Sequence, residues 1–212
     1  MILSRPARGR SRGPGSFLSG AAGVSLAELL AVLVILSCAA AAAAPAAVHL
    51  KSVVSMRSAA GELAVIFQRA RALAITRGVN VGLKFRKNGD RWEWTVYRDG
   101  NGNGVRTAEI VRGIDRPMGL SYTWMRNDVR PGIIPDAPVP DPGQPGRSLQ
   151  NPSDPIRFNS SDICSFTPAG ESTPGSVYLW DGGNRMAVLR VYGRSAKLRA
   201  LFYRRGDSRW SR

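Results

Sequence analysis

"GVSLAELLAVLVILSCAAAAAAPAAVHL", Gly23 to Leu50, is an oily run with a single acid, Glu28, five residues past a glycine. Val24 to Val48 makes 25 residues whose only charge is that carboxylate, long enough for a tilted helix to cross a bilayer. A carboxylate held in hydrocarbon costs about 2.5–3.5 kcal/mol unless it lies near the interface or meets a cation. Arg5, Arg8, Arg10 and Arg12 precede the run with no acid before Glu28, which is the bias of a cytoplasmic flank.

Four readings accommodate the run. A plain signal anchor keeps it whole. A cleaved secretory signal uses the small residues of Ala39 to Ala44. A lipoprotein signal takes "ILSC", Ile35 to Cys38, and makes Cys38 the lipidated first residue. The fourth accounts for the acid: the stretch resembles the type III signal of type IV pilins and pseudopilins, a basic leader ending in glycine followed by a hydrophobic helix with glutamate as its fifth residue. Gly23 matches that glycine, Ser25 and Leu26 the family's Thr/Ser-Leu pair, and Glu28 the glutamate, while Pro45 falls where pilin helices often kink. The resemblance implies that a prepilin peptidase removes residues 1–23, that the freed amine of Val24 is methylated, and that Glu28 guides docking onto the α-amino group of a neighbouring subunit.

Downstream the pattern continues as a pilin-like chain requires. Residues 24–48 form the membrane half of an N-terminal helix and 49–78 its amphipathic half. Val53, Met56, Ala60, Leu63, Phe67, Ala70 and Ala74 recur at steps of three and four, while Arg57, Glu62, Arg69, Arg71 and Arg77 fall off that stripe. Gly78 ends the helix as a C-terminal cap, and Pro45 bends or loosens it. The period then drops to two: Val79, Val81, Leu83 and Phe85 alternate with polar residues or glycine, Asn88-Gly89 supplies a turn, and Trp92, Trp94 and Val96 mark the partner strand. The two tryptophans share one face, which fits packing on the helix more simply than a sugar platform. Further strands are expected at Glu109 to Ile114, Leu120 to Trp124, Ile156 to Phe158, Val177 to Trp180, Met186 to Tyr192 and Ala196 to Tyr203, with Asp181 to Asn184 as a turn.

These elements predict an α+β fold, a long N-terminal helix packed on a largely antiparallel sheet head over residues 79–205. Residues 127–155 hold 8 of the 14 prolines and read as a long surface loop. The tail, 206–212, reads as frayed. Two cysteines, Cys38 and Cys164, exclude a disulfide framework within the head. The formal charge is +15, most of it downstream of the leader, so anionic lipid, nucleic acid and acidic proteins are all admissible partners.

Within the pilin class, "RARALAITRGVNVGLKF" at the helix-to-strand junction, "DGNGNG" followed by Glu109, "PGSVYLW" and "YGRSAKLR" resemble in their order the H-type minor pseudopilins of type II secretion and the related fimbrial T-type minor pilins. This implies a structural subunit, not an enzyme, at or near the tip of a periplasmic pseudopilus that helps export proteins. Its partners would be the prepilin peptidase, other pilins or pseudopilins in a hetero-oligomeric filament, and the lipid of the bacterial inner membrane. The chain would cross that membrane once, its N-terminus cytoplasmic and its head periplasmic. The alternatives are a minor pilin binding DNA for uptake, and a basic membrane-anchored domain outside any filament.

Two residue groups carry candidate chemistry. Asp99, Asn101 and Asn103 alternate, Gly104 follows, and Glu109 comes one place earlier than a helix-loop-helix calcium loop requires. Calcium is one reading there, and a glycine-rich turn the other. Arg190, Arg194, Lys197, Arg199, Arg204 and Arg205, interleaved with Tyr192 and Tyr203, form a basic stretch that suits phosphates or a solvated strand face. Gly193, Arg194, Lys197 and Arg199 resemble, with altered spacing, a late basic motif of the fimbrial T-type relatives. No enzymatic constellation is legible: His49 flanks the membrane run, and Cys164 has no histidine near it in sequence.

Overall fold

The computed structural model describes residues 24–212, so Gly23 and the leader lie outside the described residues. Contacts divide the chain into two units, one ending at Pro45 and the other running Ala46–Arg212. Helix α1 is assigned over Leu26–Arg77, without interruption at Pro45. Ser25 starts it, its Oγ accepting the Glu28 N–H at 3.2 Å, so Ser25-x-x-Glu28 is the N-terminal signature of a capped helix. In the first unit Leu29, Leu30, Val32, Leu33 and Ile35 are all exposed. By length and composition α1 is the one helix among the described residues suited to crossing a membrane.

In the second unit the expected stripe is the packing face. Met56, Ala59, Ala60, Leu63, Phe67, Ala70 and Ala74 are buried, and Val53 is half-buried. Arg57, Glu62, Arg69 and Arg77 stay exposed, as their polar heads require. Gly78, at φ +62°, ends the helix in the left-handed conformation that glycine adopts without a Cβ penalty.

Strands β1 (Val81–Asn88), β2 (Arg91–Arg98), β3 (Arg116–Thr123) and β6 (Ile163–Phe166) form one antiparallel sheet, ordered β3-β2-β1-β6. The second sheet is β4 (Arg130–Pro131), β7 (Gly175–Trp180), β8 (Arg185–Tyr192) and β9 (Lys197–Arg204), with β5 (Ile156–Arg157) also on β7. Both sheets and the helix stripe share one core, which holds Leu83, Phe85, Trp94 and Val96 from the first sheet and Val177, Leu179, Leu189 and Val191 from the second. Phe67 sits at its centre, its ring 5.9 Å from those of Phe85 and Phe158. Burying such a ring stabilises the fold by about 1.5–3 kcal/mol. Trp92 and Trp94 both turn toward this core, Trp94 buried and Trp92 half-buried.

Four expectations are corrected. The segment read as a strand at Glu109 to Ile114 is a short helix, α2 (Thr107–Val111), whose backbone donors turn back on the chain itself: Ile110 N–H bonds the Arg106 carbonyl at 2.9 Å and Arg112 N–H that of Ala108 at 3.2 Å. The proline-rich stretch 127–155 is not a bare surface loop. Prolines bar it from a long ladder, yet it pairs Arg130–Pro131 with β7 and buries Val129, Ile133, Ile134 and Val139. Ile133, Ile134 and Val139 cover Tyr178, Met186, Val188, Leu201 and Tyr203 on the outer face of the second sheet, a second core that leaves this sheet buried on both sides. The tail is pinned, not frayed: Phe202 and Ser211 exchange both backbone hydrogen bonds at 2.8 Å, and the Trp210 indole donates to the Pro140 carbonyl at 2.7 Å. The hairpin turn also lies one residue later than Asn88-Gly89, since Asn88 pairs with Arg91 and Gly89 takes φ +59°.

Candidate functional site

The N-terminal site is built from very little. Val24 and Ser25 precede the first helical residue, and Val24 is exposed. Glu28 is exposed in the first turn of α1, where a carboxylate complements the free N–H groups and positive end of the helix. Around it, Leu26, Leu29, Leu30 and Leu33 are 75%, 50%, 55% and 59% exposed. A helix apolar on all sides has no single face for a core, and by length and composition this one fits a single-pass membrane anchor. Gly23 lies outside the described residues. Pro45 is the last residue of the first unit.

The loop carrying Asp99, Asn101, Asn103 and Glu109 is gathered in space, as their spacing suggested, and its lone pairs meet donors close by, except at Glu109 Oε2, which is buried with no partner among the described residues. The Asp99 carboxylate accepts the N–H groups of Asn101, Gly102 and Gly104 at 2.9, 2.9 and 2.6 Å and the Asn80 amide at 2.7 Å. Glu109 Oε1 accepts the amides of Asn101 and Asn103 at 3.1 and 2.8 Å, and the Asn101 side-chain carbonyl accepts the Asn103 N–H. Burial works to raise the Asp99 carboxyl, but the Asn80 amide and the three backbone donors outweigh it and hold the group below the usual carboxylate range. These bonds are those of a glycine-rich turn. Asp115, buried and unremarked in the sequence, completes the turn by accepting Gly100 N–H at 3.0 Å and Arg106 N–H at 2.8 Å. Among the described residues no group of three or more His, Cys, Asp or Glu is placed to hold a metal ion.

On β8 and β9 the register sets Arg190 opposite Arg199 and Tyr192 opposite Lys197, so these four share the outer face of the second sheet. Arg190 donates to the Pro142 carbonyl at 2.6 Å and lies over the Tyr192 ring. Arg194 is exposed in the β8–β9 turn, and Arg204 and Arg205 are exposed at the far end of β9. Arg204 pairs with Asp207 at 3.6 Å and stands opposite Arg185, on the other face from Arg190. The predicted basic stretch therefore divides into two faces. Only Arg190, Lys197 and Arg199 cluster, with Arg194 beside them.

A clamp that sequence reasoning missed ties α1 to the head. Arg126 meets Glu62 at 2.6 Å and Asp128 at 3.0 Å, and donates to Ser58 Oγ and Ser55 Oγ at 3.3 and 3.0 Å, while Ser55 bonds Asp128. Farther along α1, Ser52 donates to Asp181 at 2.9 Å, and His49 Nε2 lies 2.5 Å from Arg185 Nη2. The only signal for the clamp was the i, i+2 pair Arg126 and Asp128. Cys164 is buried, its thiol raised well above the ordinary value by desolvation, an inert packing role.

A long N-terminal helix packed on antiparallel sheets, with an exposed apolar first half, defines a pilin-like α+β protein. The family model described as Type II transport protein GspH matches residues 59–193, more than half of the chain, and the protein belongs to that family. Membership carries a structural, pseudopilin-like role in type II secretion and association with other pseudopilins in a filament. The match takes in α1 from Ala59 onward and the sheets as far as the end of β8, and leaves out the earlier part of α1 and β9. Neither the curated proteins nor the solved structures returned a match to the chain.

Proposed function

We propose that this protein is a minor pseudopilin, cut after Gly23 by a prepilin peptidase, methylated on Val24, and assembled at or near the tip of a type II secretion pseudopilus that drives proteins outward. The observation carrying this reading is the lone carboxylate of Glu28 in the first turn of a helix whose apolar side chains find no partners within their own unit. Left alone in a bilayer, that charge is unfavourable; a neighbouring subunit's new α-amino group neutralises it and sets the axial register between the two helices. Catalysis is not involved: the function is assembly. The chain spans the inner membrane once, with its head in the periplasm.

The test is incorporation. Glu28→Leu should still be processed, yet its share in sheared filaments should fall by about tenfold or more relative to the parent, whereas Glu28→Asp should recover part of it. Equal incorporation of Glu28→Leu would refute the role given to the carboxylate, and a chain that stays in the membrane fraction with its leader attached would favour an anchored domain outside any filament.

A second reading rests on the Arg190–Arg199 pair. Among the described residues the ion pairs are those of Arg126 and Arg204, and Arg190, Lys197 and Arg199 take part in none. Such a cluster can meet phosphates, so a minor pilin that binds DNA for uptake is the alternative. It requires an affinity for duplex DNA that falls steeply with salt and is lost in an Arg190→Ala/Arg199→Ala variant.

A further inference from the structure

The outer edges of the two sheets are finished in different ways. The free side of β6 is occupied, since Thr173 N–H donates to the Ser165 carbonyl at 2.8 Å and Thr167 N–H to that of Glu171 at 2.9 Å. On β3, Pro117 lacks a donor and the register with β2 shifts around Gly119, at φ +70°, which makes a poor template. The two strands beyond β7 are two residues each. β9 differs: it runs eight residues, with no proline and an unbroken register to β8.

Half of the β9 edge is closed by the chain's own tail. Phe202 exchanges both bonds with Ser211, and Arg204 N–H donates to the Asp207 carboxylate at 3.2 Å. The two-residue period of a strand aims the N–H and C=O of Leu198 and Ala200 to the same side as those of Phe202. Among the described residues no backbone group bonds them there. An exposed row of this kind is a ready template for another chain.

The side chains specify what suits it. On one face Leu198 and Ala200 are half-buried over the main core, and on the other Lys197 and Arg199 stand without carboxylates. A strand added beside them would have its own side chains about 4.5–5.5 Å away, where opposite charges stabilise and like charges repel. A second copy is therefore a poor occupant, because pairing two β9 edges sets Lys197 and Arg199 beside their equivalents on chains that each carry +15.

We propose that the open edge of β9 receives an extended acidic segment of another chain as an added strand, its backbone bonded to Leu198 and Ala200, its carboxylates beside Lys197 and Arg199, and small apolar residues on the alternate face. This goes beyond the filament reading and does not depend on it.

The test uses the full chain in detergent micelles and a fluorescent peptide of alternating Glu and Val. Binding should be saturable and slow amide exchange at Leu198 and Ala200 by about tenfold or more. The same peptide with Lys in place of Glu should not bind. Ala200→Pro removes a donor at an edge position where proline is tolerated, and should weaken binding at least about tenfold. Arg199→Glu, which keeps every backbone group, should turn the preference toward the Lys peptide. Absence of binding, binding that leaves the two amides exchanging as before, or equal binding of both peptides would overturn the proposal. A dimer that protects these amides without peptide would overturn it in favour of a second copy, and an oligonucleotide that displaces the peptide from unprotected amides would assign the cations to nucleic acid.

Discussion

Leu33 and Leu63 belong to the same helix, yet Leu33 is 59% exposed and Leu63 only 1%. Past Pro45 the buried apolar residues of α1 keep to one stripe and find Phe85, Phe158 and Phe166 as neighbours, while Val48, Leu50, Val54, Val65 and Ile75 stay exposed off it; before it the apolar residues lie on all sides and find none within their own unit. Alanine, leucine and valine are common in both halves, so their apolar content alone does not say which half packs. Periodicity does. Charged residues on the second half, such as Glu62 and Arg69, confine burial to one face, and the first half, with Glu28 as its one charge, has no such division.

That contrast breaks most readily at Phe67. Phe67→Ala should lower the unfolding free energy of the head by about 3–5 kcal/mol in a urea titration followed by tryptophan fluorescence, while Leu33→Ala should change it by no more than about 0.5 kcal/mol. Similar losses from the two would mean that the first half also packs within its own chain.

Asp99 comes next. Asp99→Ala leaves the donors of Asn101, Gly102 and Gly104 without their acceptor and should cost about 1–3 kcal/mol, read by the same titration. The pH dependence follows in sign. Because the folded carboxyl is held below its ordinary value, its contribution is fully present above about pH 3.9 and is lost as pH falls through that value toward the folded one. Asp99→Asn should therefore flatten the acid limb of the stability curve, and an unchanged limb would show that other groups govern it.

A smaller effect is expected at the clamp. Glu62 and Asp128 are about half exposed, 53% and 43%, so solvent screens their pairs with Arg126. Arg126→Ala should cost about 1 kcal/mol, with faster amide exchange confined to α1 around Ser55 and Ser58. Smallest of all, Glu28→Leu should leave the head's stability within about 0.5 kcal/mol of the parent, which separates an assembly defect from a folding one.

The helix stripe, its stop at Gly78, the β1–β2 hairpin and the strands around Val177, Met186 and Ala196 were legible because each rests on local periodicity or turn chemistry. α2 was not: Thr107 to Val111 has the β-branched, apolar look of a strand, while its N–H groups bond back to local carbonyls and Asp115 holds the Arg106 N–H just ahead of it, a contact reached only through tertiary structure. Ile163 to Phe166 was too short to register as a strand. The proline-rich stretch misled in another way, since prolines forbid a long ladder but not the burial of Ile133, Ile134 and Val139. At the N-terminal site, residue identities alone suggested Gly23, Val24 and Glu28. The clamp at Arg126 and the open edge of β9 required strands to be paired in space.

The intact mass and N-terminal residue of the chain co-expressed with a prepilin peptidase, beside a Gly23→Leu control, test the assembly account most directly. A methylated Val24 start, absent in the control, is the expected result, and it gives Glu28 its partner. A start at Met1, within the alanine run, or at a lipidated Cys38 would contradict the account and leave the carboxylate of Glu28 without its cation.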